Sequence, residues 1–562
     1  MPRTLLLRPS SFIPSGRTCL RLTKTKTTLQ RPPSRSLSTS STSPRPTAAL
    51  QTPSKPTRPR LTPSKLPSPS RPYLSESIRA HQARKTTMAP NLDGYFKQVD
   101  ELKGHFIERL REAVAIPSVS AEADRRPDVI RMGHWLVEQL HKLGAETELR
   151  EPGKQPGTDL DLPPIVLGRY GRDKSKRTIL VYGHYDVQPA FKSDGWDTEP
   201  FELTVQPDGR LCGRGSTDDK GPVLGWLNAI EAHQKAGIDF PVNLLMCFEG
   251  MEENGSEGLD EVVIEEGKKY FADADAVCIS DNYWLGTERP CLTYGLRGVN
   301  YYSVEVSGPG ADLHSGVFGG LAHEPMTDLV RILGSLVEPD GTILVKGIAE
   351  QVAPVTADEE GLYDGIAFTM ETLHQSLGSK TTIFDDKKKT LMARWRMPSL
   401  SLHGVEGAFS APGAKTVIPA KVIGKFSIRT VPNMEIEKTN ELVYKHVEEA
   451  FKKLNSKNTM KVYAQHCGNW WVASPKHWNF EAAAKATERV WGVRPDFTRE
   501  GGSIPITLTF QEATGKNVLL LPMGSSTDGA HSINEKLDTK NYIEGIKLLG
   551  AYLHYVAEEE MV

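Results

Sequence analysis

Hydrophobic residues recur at helical and strand-like spacings along most of the chain from residue 91 onward. Residues 96–114 and 129–143 carry apolar side chains every three to four positions, which predicts two amphipathic helices. A third helix is predicted over residues 221–236. Four short apolar runs predict buried strands over residues 177–182, 241–248, 274–279 and 516–521. Such apolar strands alternating with helices predict an α/β fold whose sheet is covered on both faces.

The pattern changes between residues 298 and 469. Residues 299–306 and 421–431 alternate and are rich in β-branched side chains, whereas residues 326–336 and 436–454 have helical spacing. This change predicts an α+β domain that is inserted into the α/β domain. The predicted organisation is a leader over residues 1–87, an α/β domain formed by residues 88–297 and 470–562, and an inserted domain over residues 298–469.

The leader has two interpretations that the sequence leaves open. Residues 1–75 contain no Asp or Glu, and a segment this polar buries too little apolar surface to offset its ordering entropy. Spaced Arg among Leu, Phe and Ile in residues 1–22 is typical of a mitochondrial transit peptide. Alternatively, the leader is a flexible tail or an over-extended gene start with Met88 as initiator, and the protein is cytoplasmic. The Pro-rich residues 41–72 predict an extended linker in both cases.

Composition excludes several classes of protein. With 562 residues, the chain exceeds the roughly 250–300 residues at which one core stops growing, which excludes a lone binding module. A net charge of −2 argues against nucleic acid as a partner. No apolar run approaches the roughly 18 residues that a membrane span needs. Six scattered Cys residues without a CxxC pair predict reduced intracellular thiols rather than disulfides or a thiolate zinc site.

Metal-ligand residue types follow directly after the predicted strands. These are His184 and Asp186 after the first strand, Glu252 and Glu253 after the second, Asp281 after the third, His531 in the loop after the fourth, and Asp218 and Asp219 before the helix at residue 221. Ligands of open α/β sheets bind beyond the carboxyl ends of the strands. His and carboxylate side chains arriving from separate strand ends predict a zinc or manganese site, in which carboxylates can bridge two ions.

Each feature alone also has a non-functional interpretation. A single His-x-Asp is usually a surface turn, and the pair Glu252 and Glu253 is typical of a solvated helix start. The acidic pair Asp218 and Asp219 is typical of a helix N-terminus. Independent surface features, however, have no reason to fall at the ends of four strands. The combination therefore favours a metal-dependent enzyme.

Seven longer motifs occur in order along the chain. They are GHYDVQPA at 183–190, GRGSTDDKGPVLGW at 213–226, FEGMEENGSEGL at 248–259, SDNYWLG at 280–286, DLHSGVFGG at 312–320, SLSLHGVEGAFS at 399–410 and REGGSIPIT at 499–507. Together they resemble the dinuclear M20 metallopeptidases, and among these the carnosinase-like nonspecific dipeptidases that include fungal Cys-Gly dipeptidases of glutathione breakdown. The resemblance covers residues 88–562 and stops at the leader. It implies a mixed-sheet, zinc-peptidase-like catalytic domain and an inserted α+β lid domain through which two subunits form a homodimer.

The same resemblance implies two divalent ions per subunit, zinc or manganese. The implied ligands are His184 and Asp281 for one ion, Glu253 and His531 for the other, and Asp218 as the bridge. Asp218 is preferred to the aspartate that follows it because members of the family commonly keep only the first before Lys-Gly.

Catalytic roles are implied as well. Glu252 would be the general base and acid, which takes a proton from the attacking water and returns it to the leaving amine. Asp186 would hydrogen-bond to the His184 ring and fix its tautomer. His314 would stabilise the oxyanion in the partner subunit's site. An ordinary loop histidine is the alternative for His314.

The resemblance finally implies a substrate. Arg429 would bind the substrate carboxylate with Thr416, His466 and Ser503 nearby, unless Arg429 is only a charge on the strand surface. The implied activity is hydrolysis of small unblocked dipeptides, with Cys-Gly among them, and further subunits would join for glutathione degradation. Two alternatives stay open: an N-acyl amino acid amidohydrolase of the same fold, and a non-catalytic scaffold subunit with a relic metal site.

Overall fold

The structure is a computed structural model that describes residues 91–559. The leader and linker predictions concern earlier residues and lie outside this range. Strands and helices alternate up to residue 296, as α1 (Asp93–Glu101), α2 (Lys103–Val114), α3 (Arg126–Lys142), β1 (Glu146–Arg150), β2 (Ile165–Tyr170), β3 (Thr178–His184), β4 (Thr204–Val205), β5 (Arg210–Cys212), α4 (Lys220–Ala236), β6 (Asn243–Glu249), α5 (Leu259–Glu266), β7 (Ala276–Ile279) and β8 (Cys291–Leu296). The single helix predicted over residues 96–114 is wrong. The helix is interrupted at Leu102, two residues before Gly104, whose helix propensity is low.

The remaining elements form a second sheet and then return to the first. Residues 298–468 contain β9 (Gly298–Ser307), β10 (Leu313–His314), α6 (Ser315–Phe318), α7 (Pro325–Leu333), α8 (Ala357–Leu362), α9 (Met370–Leu377), α10 (Lys387–Trp395), β11 (Ser399–Glu406), β12 (Val417–Ile418), β13 (Lys421–Thr430), α11 (Ile436–Leu454) and β14 (Thr459–Gly468). The chain continues with β15 (Trp471–Val472), α12 (Trp478–Trp491), β16 (Asp496–Glu500), α13 (Ile506–Thr514), β17 (Val518–Leu520), β18 (Lys536–Asp538) and α14 (Thr539–Glu558).

The large sheet has four parallel strands at its centre. Its order is β1-β2-β6-β3-β7-β17-β8-β15, with β16 also paired to β8. Strands β6, β3, β7 and β17 are mutually parallel, whereas β2 and β8 run antiparallel to their inner neighbours. The carboxyl ends of the four central strands therefore lie at one edge of the sheet. This mixed sheet confirms the predicted fold class.

Helices cover both faces of the large sheet. Gly183 of β3 faces α4, because an added Cβ would lie 2.6 Å from the Val223 side chain. Tyr182, the preceding residue, points to the other face and meets Phe510 of α13 with 5.5 Å between ring centroids. Successive strand residues point to opposite faces, so α4 and α13 lie on opposite sides of the sheet. No helix within residues 91–559 has the length and hydrophobicity that a membrane crossing requires.

The second sheet has a hydrophobic core of its own. Its order is β11-β13-β9-β14 and all its pairs are antiparallel. Helices α7 and α11 pack on this sheet, where Val304 and Phe426 of the strands join Leu329 and Val443 of the helices in one cluster. The sheet and core thus change together at Gly298, close to the predicted domain boundary.

The stretch from α8 to α10 does not share that core. Tyr363, Leu391 and Trp395 pack in a separate cluster with Trp284. Trp284 in turn meets Trp491 of α12 edge to face, with 4.8 Å between ring centroids. This stretch therefore packs against residues that come before and after the predicted inserted domain, and it brings α9 to the edge of the large sheet where the strands end.

Candidate active site

Two side chains from strand ends and one from a turn meet in the first ligand group. His184 is the last residue of β3, Asp281 follows β7 by two residues, and Asp218 lies in the turn before α4. The Nε2 atom of His184 lies 3.2 Å from Oδ1 of Asp218 and 3.6 Å from Oδ1 of Asp281. Because β3 and β7 are parallel neighbours, their carboxyl ends deliver both side chains to the same place.

A second ligand group shares one member with the first. Nε2 of His531 lies 3.0 Å from Oε2 of Glu253 and 3.3 Å from Oδ2 of Asp218. Asp218 thus directs one carboxylate oxygen to each histidine, and it belongs to both groups. The neighbouring Asp219 instead accepts a hydrogen bond of 3.2 Å from the main-chain N–H of His184.

Burial and close contact shift the pKa values of the side chains in the two ligand groups. Burial raises the pKa of the Asp281 carboxyl to about 6. Burial opposes ionisation of Asp218 too, but hydrogen bonds from His184 and His531 outweigh it and hold the pKa of Asp218 below its ordinary value. Hydrogen bonds to Asp218 and Glu253 raise the pKa of His531 to about 11. The carboxylates therefore favour a positive charge between them.

The structure fits a metal ion in each group. Ligand atoms held about 2.1 Å from one tetrahedral ion lie roughly 3.4 Å apart. The four ligand distances are 3.2, 3.6, 3.3 and 3.0 Å, and each group combines one imidazole with two carboxylates. Imidazole and carboxylate suit zinc, manganese and related divalent ions.

Asp186 ties the end of β3 to the residues after β6. Its two carboxylate oxygens accept the main-chain N–H groups of Glu252 and Glu253 at 3.2 and 3.1 Å. The Nδ1 atom of His184 lies 3.1 Å from the main-chain oxygen of Asp186 and 3.4 Å from its Oδ1. The main-chain oxygen is therefore the nearer partner of the ring, and the Asp186 carboxylate mainly orients the segment that carries Glu252 and Glu253.

Glu252 stands beside the ligand groups without belonging to either. It lines a cavity of about 530 Å³ together with Asp218, Asp281 and His531. Burial raises the pKa of Glu252 well above its ordinary value. A carboxyl group with a raised pKa in a cavity wall is suited to accept and return a proton.

The predicted carboxylate-binding residues lie at different distances from this cavity. Ser503 lines it and accepts a hydrogen bond of 2.8 Å from Nη1 of Arg429. His466 lies close enough to Arg429 that this charge, after burial, helps to lower the pKa of its imidazole. Thr416 is exposed, and its main-chain oxygen accepts the N–H of Ser315.

His314 is exposed in the short strand β10, which pairs with β12. Its Nδ1 accepts a hydrogen bond of 3.0 Å from the N–H of Gly316. It is absent from the residues that line the cavity of its own chain.

Sequence reasoning gave no role to two further buried acidic side chains near the ligand groups, namely Asp528 and Glu535. Asp528 and Glu535 flank His531 within seven residues. That closeness in sequence is the only local signal, because nothing in the spacing shows which acidic residues fold inward.

Comparison with known proteins agrees with this geometry. The model of peptidase family M20/M25/M40 matches residues 180–555. The chain belongs to this family. The Cys-Gly metallodipeptidase dug1 of Schizosaccharomyces pombe is 59% identical over 472 residues, which are 84% of this chain and 99% of the relative. The Beta-Ala-His dipeptidase of Homo sapiens is 44% identical over 472 residues, which are 83% of this chain and 93% of that protein.

A solved M20 structure has the same architecture. The structure of the dipeptidase Dug1p from Saccharomyces cerevisiae is 55% identical, with a TM-score of 0.81 over 84% of this chain and 99% of the other. Human carnosine dipeptidase 1 gives a TM-score of 0.80 at 44% identity. Membership of the M20 family confirms the resemblance seen in the sequence and the prediction of a metallopeptidase.

Proposed function

We propose that the protein is a dipeptidase that hydrolyses small unblocked dipeptides, Cys-Gly among them. One observation carries the proposal: Asp218 belongs to both ligand groups, and Glu252 lies in the wall of the same cavity without being a ligand. The relatives named Cys-Gly metallodipeptidase and Beta-Ala-His dipeptidase support the substrate class. A cavity of about 530 Å³ is in the range of small-molecule sites.

Two divalent ions, zinc or manganese, complete the proposed site. His184 and Asp281 would hold one ion, Glu253 and His531 the other, and Asp218 both. When bound, the ions would activate water and polarise the scissile carbonyl. Glu252 takes a proton from the attacking water and returns it to the leaving nitrogen, for which its raised pKa is suited.

Arg429 is the proposed anchor for the substrate carboxylate. A guanidinium pairs with a carboxylate through two parallel hydrogen bonds. Ser503 connects Arg429 to the cavity wall, and His466 adds an imidazole beside it. Thr416 completes the proposed set from the segment next to β12. Binding through a free carboxylate would place the scissile bond at a fixed distance from the C-terminus of the substrate.

A homodimer is part of the proposal. His314 is exposed and does not line its own cavity, which supports a role as oxyanion donor in the partner subunit's site. Association with further subunits in glutathione breakdown and a cytoplasmic place of action stay predictions.

A substrate panel tests the proposal on the purified full-length chain. The enzyme should release glycine from Cys-Gly and Ala-Gly, lose activity in a chelator, and regain it with Zn²⁺ or Mn²⁺. N-acetylated amino acids should be poor substrates. Preference for N-acetylated amino acids over dipeptides would favour the amidohydrolase alternative, and a metal-loaded protein without any turnover would favour the scaffold.

A further inference from the structure

A buried acidic side chain from the C-terminal part of the chain holds the turn that presents Asp218. Glu535 is fully buried. Its carboxylate accepts the main-chain N–H groups of Gly215 at 3.0 Å, Thr217 at 3.0 Å and Asp218 at 3.2 Å. The same carboxylate accepts Nη1 of Arg214 at 2.8 Å. Four donors from five consecutive residues therefore converge on one side chain.

A second acidic residue, seven positions before Glu535, holds the same turn. Asp528 is also buried, and it accepts the Oγ1 hydroxyl of Thr217 at 3.0 Å. Lys536 and Ser525 donate to its carboxylate at 2.7 Å each, and these two residues belong to the same segment. Residues 525–536 thus carry His531 and both acceptors that hold the Asp218 turn. One segment fixes both partners of the Asp218–His531 contact.

Burying the Glu535 carboxylate costs free energy that its hydrogen-bond donors have to offset. A buried carboxylate loses its hydration, and the nearby negative charge of Asp218 adds repulsion. Charge-assisted hydrogen bonds from Arg214 and the main chain offset this cost. An apolar residue would spare the cost but would leave several buried N–H groups without acceptors. The arrangement therefore favours a defined turn over simple packing.

We propose that Glu535 is a positioning residue, which fixes the turn at residues 214–218 so that the Asp218 carboxylate faces both His184 and His531. This inference rests on the proposed metal site. It predicts that a loss of the Glu535 carboxylate weakens metal binding although Glu535 is in neither ligand group. Mutation of residues that orient metal ligands in this way typically lowers metal affinity or activity by about 10- to 100-fold.

The test compares Glu535→Gln with a matched change elsewhere. Gln keeps the shape but directs an NH₂ group at main-chain donors. The control is Glu266→Gln, because Glu266 is also buried and accepts an arginine, Arg150 at 2.8 Å, and a main-chain N–H, from Tyr270 at 3.3 Å. Zn²⁺ affinity is measured by competition with a fluorescent chelator, starting from the metal-loaded full-length protein. Glu535→Gln should weaken Zn²⁺ binding by about 10- to 100-fold, and Glu266→Gln should leave it unchanged.

Further readouts separate positioning from a general structural role. At saturating Zn²⁺, Glu535→Gln should lower kcat with little change in KM for Cys-Gly, and Glu535→Asp should restore part of both affinity and kcat. Unchanged Zn²⁺ affinity in Glu535→Gln, or equal loss in both Gln variants, would overturn the inference. If Glu535→Gln does not fold, Glu535→Asp decides, because the shorter side chain cannot reach all four donors at once and should weaken Zn²⁺ binding about threefold relative to wild type. No loss in Glu535→Asp would then refute the inference. Wild-type protein that binds no Zn²⁺ would instead refute the proposed function.

Discussion

Glu252 and Glu253 are adjacent acidic residues for which we expect opposite outcomes from the same substitution. Oε2 of Glu253 lies 3.0 Å from Nε2 of His531 and accepts Nε2 of Gln188 at 2.8 Å, which places Glu253 in a ligand group. Glu252 lines the cavity outside both groups. Glu252→Gln should therefore abolish turnover and leave the metal content unchanged, whereas Glu253→Gln should reduce the metal content.

The size of the effect follows from the proposed role. A general base or acid contributes about 10²- to 10⁴-fold to a rate. At 1.36 kcal/mol for each factor of ten, Glu252→Gln should raise the activation barrier by roughly 2.7–5.4 kcal/mol. The hydrogen bond from the main-chain N–H of Glu252 to Asp186 does not involve the Glu252 side chain, so the local fold should persist in the variant. An amide neither accepts nor returns the proton at neutral pH, and KM should change little.

Two measurements on the same preparations decide the outcome. Glycine release from Cys-Gly gives kcat and KM, and elemental analysis gives the metal content per chain. Loss of metal in Glu252→Gln would show that Glu252 is a ligand. A Glu253→Gln protein that keeps its full metal content and activity would remove Glu253 from the site.

Three further predictions test the substrate anchor, the dimer and the buried histidines. Arg429→Ala should lower kcat/KM for Cys-Gly by about 10- to 150-fold, the size of a charge-assisted hydrogen bond, but should affect the C-terminal amide of Cys-Gly far less; equal losses would contradict the anchor. Mixing Glu252→Gln with His314→Ala chains should restore about a quarter of the wild-type activity, since half of the dimers then have one intact site; no recovery after verified exchange would exclude sharing across the dimer. His233 and His554 lie 3.0 Å apart, and burial lowers the pKa of each to about 4. Between pH 6.5 and pH 4 the unfolded state therefore binds more protons than the folded state, so the free energy of unfolding decreases as the pH falls. At pH 5 it is lower than above pH 6.5 by about 2 kcal/mol per histidine. Urea unfolding of His554→Gln at pH 7 and pH 5 should show a smaller difference than wild type, and an equal difference would refute the assignment.

The pattern of apolar strands and the residue types at their ends predicted which segments form the site. The predicted strands at residues 177–182 and 274–279 are observed as β3 and β7, which end beside His184 and Asp281. Burial on both faces leaves a continuous apolar run in the sequence, and parallel strands share one carboxyl edge. Ligands from distant segments could therefore be grouped before any contact was known.

A local sequence pattern does not predict contacts between distant segments of the chain. The acidic residue Glu535 is separated by more than 300 positions from the Gly215 and Asp218 N–H groups that it accepts. Charged side chains near a loop usually remain in solvent, so nothing in the sequence marked Glu535 as buried. For Arg429 and Ser503 the family motifs, and not the local pattern, predicted that the two lie close together, and their hydrogen bond joins two strand-end segments 74 positions apart.

The sequence by itself determined the apolar strands, the helices between them, the family motifs and the chemical type of the candidate ligands, because these depend on periodicity and short motifs. Only the tertiary structure decided that Glu535 accepts the main-chain N–H groups of the turn that presents Asp218, and that the stretch from α8 to α10 packs against Trp284 outside the second core. Side-chain direction in a turn and the docking of a helical segment depend on donors and apolar surfaces supplied by remote parts of the chain. Those partners come together only when the whole chain folds.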